Sequence, residues 1–275
     1  MTDIRVGFVG AGKIGEPMVR RLTGAGYRVI VYARRPDVIG RLIGYGAEIA
    51  SAPGDLAAAD VVIGCVFDDS QLARVGAEII AGMHSHSIFV SHTTCLPATI
   101  ETLAAQAGDR GVAVVEAPFS GTPAAVLDGR LTVMLGGHID AIDTVRQVIS
   151  AYTNTIHVTG GHGTALTVKL LNNALFAAHT QLALSALAAG RSLGISEDTL
   201  LRVLADSSGM SAAIGHLART GSGIDAYAAR VAGYLRKDVQ AVRSAASGLG
   251  VDISALLTAT QLGPIDLSPT AGTAT

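Results

Sequence analysis

Apolar residues follow two rhythms along this chain, and the rhythm changes once. Up to about residue 160, short apolar runs alternate with segments whose apolar positions recur every three to four residues. The runs at 4–9 (IRVGFV), 28–33 (RVIVYA), 47–50, 60–65, 87–91 and 111–116 read as buried strands. Helical spacing lies between them, at 17–22, 36–44, 53–59, 69–81 and 97–107. Strands alternating with helices predict a parallel sheet covered on both faces. Two later strands, 131–135 and 155–158, flank a helix at 139–150 and extend the sheet at one edge. After Gly163 the strand rhythm stops. Helices are predicted at 164–193, 197–206, 211–220, 226–248 and 252–262. The change sets a boundary at the glycine cluster Gly160–Gly163, giving domains 1–162 and 163–265. Residues 266–275, ending in SPTAGTAT, are expected to form a disordered tail.

Composition narrows the function classes. With 275 residues, 49% hydrophobic and 15% charged, the chain buries a core easily. A net charge of -2 without a basic block gives no support to nucleic-acid binding. Cys65 and Cys95 fit no metal or redox spacing, and the histidines assemble no zinc pattern, so no metal is expected. The apolar segment 174–190 carries His179, Thr180, Gln181 and Ser185, which argues for a buried helix and against a membrane span. The N-terminus has charges within its apolar run and does not read as a signal peptide. A cytoplasmic setting is expected.

One count stands out against this background. The chain has 17 arginines and only three lysines: Lys13, Lys169 and Lys237. An amine can lose its proton when buried and a guanidinium cannot, so lysines kept in an arginine-biased chain are candidates for chemistry. Lys169 is the only lysine or arginine between Gly160 and Gly190, and Asn173 follows four residues later on the same helical face. A snorkelling lysine at a helix edge is the competing reading.

Gly10, Gly12 and Gly15 form GxGxxG between the first strand and the first helix, with Lys13 and Ile14 inside the turn. In that context the motif predicts a dinucleotide, its pyrophosphate on the helix N-terminus. The second strand ends in Tyr32-Ala33-Arg34-Arg35, without the acid that takes a ribose 2′-hydroxyl. Guanidinium groups suit a 2′-phosphate, so NADP is preferred and NAD less favoured, with Arg35 the more readily explained as merely solvated. Glu116-Ala-Pro-Phe-Ser120-Gly121-Thr122 leaves a strand at the carboxyl edge of the sheet. Ser120, the Gly121 backbone and Thr122 cluster donors suited to a carboxylate, or form a self-bonded turn.

Four motifs in order resemble the β-hydroxyacid dehydrogenase family: GFVGAGKIGEPM, EAPFSGTPAAVLDG at 116–129, GHGTALTVKLLNN at 161–173 and RKDVQAV at 236–242. The resemblance implies a Rossmann domain, a long connecting helix and an all-α C-terminal domain, hence an α/β fold. It implies reversible NADP-linked oxidation of a small β-hydroxy acid to its aldehyde or keto acid. It makes Lys169 the general acid/base and Asn173 a substrate contact. Ser120 and Gly121 become the carboxylate loop, and Lys237 borders substrate and cofactor. Thr93 and Thr94 match the pair beside the nicotinamide. Phe67 is grouped with the cofactor contacts, in the stretch Cys65–Asp68 that replaces the family's leucine-proline segment. Other departures are Thr122 for a second glycine, Phe119 for a smaller aliphatic residue, His92 before the threonine pair, and Ala33 where NADP members often have asparagine. Imine reduction on the same scaffold and a non-catalytic NADP-binding module are the alternatives, and Lys169 with Asn173 speaks against both. The expected partners are a small carboxylate and a second copy of the chain, as homodimer or homotetramer, because helix 164–193 is apolar on nearly every side.

Overall fold

The central strands in the first part of the chain are buried on both faces, and their side chains alternate between two cores. A computed structural model describes residues 4–268. The chain divides into two units, Met1–Lys169 and Leu170–Thr275, with the boundary inside a helix.

Unit 1 begins with β1 (Arg5–Val9), α1 (Gly15–Gly24), β2 (Arg28–Tyr32), α2 (Pro36–Gly44) and β3 (Glu48–Ile49). A 3-10 helix (Pro53–Ala58) leads to β4 (Val61–Gly64), α3 (Asp69–Gly82), β5 (Ile88–Ser91), α4 (Pro97–Gly108) and β6 (Ala113–Glu116). These six strands pair in parallel in the order β3-β2-β1-β4-β5-β6. Val61, Ile63, Ile88, Val90 and Val115 face one core, with Met18 and Leu22 of α1 and Leu42 of α2. Val62, Phe89 and Val114 face the other, with Leu72 and Ile79 of α3 and Ile100 and Leu103 of α4. Period-two alternation with apolar residues on both sides produces the continuous apolar runs seen in the sequence.

The later strands depart from the parallel pattern. After β6 come β7 (Phe119–Ser120), α5 (Pro123–Leu127), β8 (Leu131–Gly137), α6 (Ile139–Ile149) and β9 (Thr153–Gly160). β8 runs antiparallel to β6 and β7, and β9 pairs in parallel with β8. The link from β6 to β8 contains only the two-residue β7 and the short α5, too little for a crossover, so the chain turns back. β7 and α5 were not anticipated, because two strand residues and one short helix are below the length at which a rhythm shows. The segment read as a helix at 53–59 is 3-10 in geometry.

α7 (Thr164–Ser192) begins in unit 1 and continues into unit 2, which adds α8 (Glu197–Ala205), α9 (Ala212–Thr220), α10 (Ile224–Leu249) and α11 (Ser254–Ala259). Ala177, Leu184 and Leu187 of α7 pack with Leu217 of α9 and Tyr227, Val231 and Leu235 of α10. The Gln181 amide donates to the carbonyls of Thr260 and Ile265 and accepts the Ile265 N–H, which fastens segment 260–265 to α7. Packing continues through Leu267, two residues into the segment read as tail. The rest of that segment, 269–275, lies outside the described residues. Among the described residues no helix is long and apolar enough to cross a membrane.

Candidate functional site

The glycine turn is shaped by close backbone approach. Gly10 has φ +99°, and a Cβ there would stand 2.2 Å from the Cys65 carbonyl oxygen. A Cβ on Gly15 would meet the Gly10 oxygen at 2.2 Å. Around Gly12 nothing lies within 4 Å of the same position, so its backbone is open to approach from outside. α1 starts on Ile14 without a side-chain cap, and within the turn the Glu16 N–H donates to the Gly12 carbonyl at 3.0 Å. Lys13 is exposed and Ile14 half-buried in the same turn. The turn therefore fits a pyrophosphate: two glycines required by the fold, a third that leaves the approach clear, and a helix start without a side-chain cap.

At the end of β2, Arg34 and Arg35 are both exposed, Arg35 as the residue preceding α2. The nearby acids are engaged elsewhere. The Arg41 guanidinium bonds Glu16 at 2.6 Å and Asp37 at 3.3 Å. Hydrogen bonding from Arg41 holds the Glu16 carboxyl below its usual range against the effect of burial, and the Arg35 charge adds to this. Arg35 thus belongs to the ionic neighbourhood of Glu16, whereas Arg34 takes no part in that group.

Beyond β4 and β5 two loops are joined by one hydroxyl. Buried Thr93 accepts the Val66 N–H at 3.1 Å and donates to the Val66 carbonyl at 3.2 Å. Its hydroxyl therefore holds the β4 loop, while Thr94 is half-buried. Phe67, next to Val66, is 70% exposed, and its N–H donates to Gln71.

After β6 the backbone passes Ser120, exposed at the end of β7, and Gly121, with φ +146°. Thr122 caps α5, its hydroxyl accepting the Ala125 N–H at 3.3 Å. Of the expected donor cluster, the structure gives Thr122 a structural duty and leaves Ser120 and Gly121 at the loop's exposed tip.

Glu116 opens the EAPFSG motif in the sequence, and the structure gives it a role. It is the last residue of β6 and fully buried, and its carboxylate accepts the Ala165 N–H at 3.3 Å and the Leu166 N–H at 3.1 Å. Burial raises its pKa, opposed by the N–H groups of Leu166, Ala165 and Gly163 and by His162. A carboxylate at a helix start satisfies orphan donors and complements the helix dipole. The available signal was a lone acid closing an otherwise apolar strand. His162 turns its Nε2 to the Val114 carbonyl at 3.0 Å, toward β6.

Lys169 stands five residues into α7 and is 9% exposed. Asn173, one turn on, is also buried and accepts from the Asn172 amide at 3.3 Å. Lys169 closes unit 1, whereas Asn173 and the exposed Lys237 of α10 belong to unit 2. Among the described residues no group of three or more His, Cys, Asp or Glu side chains could hold a metal ion.

Two family models divide the chain between them. The NAD-binding domain of 6-phosphogluconate dehydrogenase matches residues 5–161, and the NAD-binding domain of NADP-dependent 3-hydroxyisobutyrate dehydrogenase matches 163–264. An oxidoreductase of Shewanella frigidimarina is 33% identical, over 75% of this chain and 73% of its own. The chain belongs to the β-hydroxyacid dehydrogenase family. L-threonate dehydrogenase of Cupriavidus necator is 29% identical, over 75% of this chain and 71% of its own. The solved 3-hydroxyisobutyrate dehydrogenase of Mycobacterium tuberculosis, with L-serine, shares the fold at TM-score 0.83 and 22% identity, covering 94% of this chain and 92% of that one. As a β-hydroxyacid dehydrogenase family member, the chain has the α/β architecture with a helical C-terminal region that its motifs predicted, and it binds a nicotinamide cofactor.

Proposed function

We propose that this chain interconverts a small β-hydroxy acid and its aldehyde or keto acid using NADP(H), with Lys169 moving the hydroxyl proton. The observation that carries the reading is a buried amine, Lys169, on a helix whose first N–H groups are held by the Glu116 carboxylate. Such a fixed start makes the rotation and depth of Lys169 a property of unit 1.

The bound nicotinamide supplies a hydride acceptor for oxidation and a donor for reduction. The chain's own residues supply the rest. The Gly10–Gly15 turn binds the pyrophosphate, and Arg34 pairs with a 2′-phosphate. Ser120 and the Gly121 N–H hold the substrate carboxylate. Asn173 and Lys237 are assigned as further substrate contacts. Thr94 and Phe67 border the ring, with Thr93 fixing the loop between them. In oxidation the neutral Lys169 amine takes the hydroxyl proton; in reduction the ammonium returns it to the forming alkoxide. Unit 1 is the cofactor half, and the helical unit serves substrate contact and assembly. L-Serine in one relative's structure and L-threonate in another relative's name are both hydroxy carboxylates, which supports a carboxylate anchor here.

A steady-state screen of small hydroxy acids, aldehydes and cyclic imines with NADPH and NADH tests the reading. Turnover of a hydroxy acid with preference for NADP(H) is expected. Turnover of imines alone, or no turnover with intact NADPH binding, would replace it with imine reduction or a binding module.

A further inference from the structure

His92 is the first residue after β5 and is 2% exposed. Its two ring nitrogens have different partners. Nδ1 lies 2.5 Å from the Ala117 carbonyl oxygen and Nε2 lies 2.8 Å from the Tyr152 hydroxyl. A carbonyl only accepts, so Nδ1 carries the hydrogen, and Nε2 then accepts from Tyr152. The ring also meets Phe119 edge-to-face at 5.8 Å and Tyr152 at 5.7 Å. Two departures from the family pattern, His92 and Phe119, are therefore one packed cluster.

The position of this cluster is what gives it consequence. His92 directly precedes Thr93, whose hydroxyl holds the β4 loop. Ala117 directly follows β6 and stands three residues before Ser120. Tyr152 is the residue before β9, and its carbonyl accepts the Leu131 N–H. Past the end of β6 the Ala117 N–H donates to the Ser91 carbonyl of β5 at 2.7 Å. Beyond that point Pro118 and Phe119 are held by β8, and the imidazole adds a side-chain bond from the β5 loop to Ala117.

We propose that His92 is a positioning residue: through its Nδ1 bond to Ala117 it sets where the Ser120–Gly121 loop stands relative to the Thr93–Thr94 segment. With the roles assigned under Proposed function, that spacing is the distance between substrate carboxylate and nicotinamide. The kinetic part of the inference rests on that reading; the placement of the loop does not. A core histidine that only fills space would depend on both of its hydrogen bonds or on neither.

Paired variants separate the two. In His92→Asn the amide nitrogen overlays Nδ1 and keeps a donor for Ala117, but loses the acceptor for Tyr152. In His92→Gln the longer amide overlays Nε2, keeping the Tyr152 bond and losing the Ala117 bond. Losing one buried hydrogen bond predicts a rise of roughly tenfold in KM for the hydroxy acid in His92→Gln, with kcat within about threefold. Affinity for NADP should be unchanged, and hydrogen exchange of peptides spanning 117–122 should quicken. His92→Asn should restore most of the KM and the slow exchange, and Tyr152→Phe should resemble it. Equal changes in His92→Asn and His92→Gln, or wild-type KM and exchange in His92→Gln, overturn the proposal. If His92→Gln does not fold, a tenfold KM rise or rapid loop exchange in Tyr152→Phe overturns it equally, and near wild-type values there with His92→Asn support it. Should the wild type turn over no hydroxy acid, Proposed function fails, and the exchange measurements still decide the positioning role.

Discussion

The carboxylate of Glu116 accepts the backbone N–H of Leu166 at 3.1 Å, joining the end of β6 to the first turn of α7. Lys169 lies three positions beyond Leu166, so one buried side chain anchors the helical turn that carries the candidate proton carrier. Glu116→Ala removes this anchor and leaves helix-start donors buried. A loss of about 1–3 kcal/mol is expected by urea unfolding, together with a fall in kcat. A stability change under about 0.5 kcal/mol would show that the N–H groups find another acceptor.

Lys169 distinguishes charge from proton transfer. If it only holds an anion, Lys169→Arg keeps much of the activity. As a proton carrier it should fail in both Lys169→Arg and Lys169→Ala, by roughly 10²–10⁴-fold in kcat. NADP affinity by calorimetry should survive in both, because the glycine turn is untouched. A near wild-type kcat in Lys169→Arg would leave the residue as an electrostatic anchor.

Arg34 and Arg35 should differ. Arg34→Ala is expected to weaken NADP(H) by about 1.5–3 kcal/mol and leave NAD(H) nearly unchanged. Arg35, placed in the Glu16 neighbourhood, should discriminate less between the two cofactors when replaced. Equal Michaelis constants for NADP and NAD in the wild type would remove the 2′-phosphate assignment.

The cluster around His92 sets an acid limit. Burial lowers the pKa of its imidazole from 6.5 to about 4, against the opposing bond to Ala117. The unfolded chain then takes up the proton first. This group's contribution is complete above pH 6.5 and is lost as pH falls toward 4. The shift corresponds to about 3 kcal/mol. Tyr152 and Phe119, the rings that face it, stay uncharged over that range. The difference in Tm between wild type and His92→Gln should therefore shrink on acidification from pH 7 to pH 4. A difference independent of pH would mean that the imidazole is protonated or exposed in the folded protein.

α7 carries an apolar stripe. Val168, Leu171, Leu175 and Leu182 are exposed and recur at coiled-coil spacing, on a helix whose other face is packed. A dimer or larger assembly is expected in sedimentation, and Leu175→Glu with Leu182→Glu should shift it toward monomer. A wild-type monomer at micromolar concentration would leave the stripe without a function in assembly.

Regular elements in the sequence were legible because burial imposes a period. Apolar runs on β4, β5 and β6 read as strands covered on both faces, and the GxGxxG turn in that context reads as a place of close backbone approach. Lys169 stood out through composition, since an arginine-rich chain kept an amine there. Relationships that join distant segments were not legible, because no local rhythm encodes them. The antiparallel return of β8 follows from how little chain separates it from β6, and β7 exists only by pairing with Val133 and Thr132. Glu116 reads as one letter of a motif until Ala165 and Leu166, some fifty residues on, present their N–H groups. Thr93 reads as one member of a threonine pair, and only the fold shows its hydroxyl bonded to Val66. His92 and Phe119 look like separate departures until the fold sets their rings 5.8 Å apart. Sequence determines what each segment can bury. Only the tertiary structure decides which buried polar group meets which, because hydrogen bonds depend on position in space and apolar burial depends mainly on period.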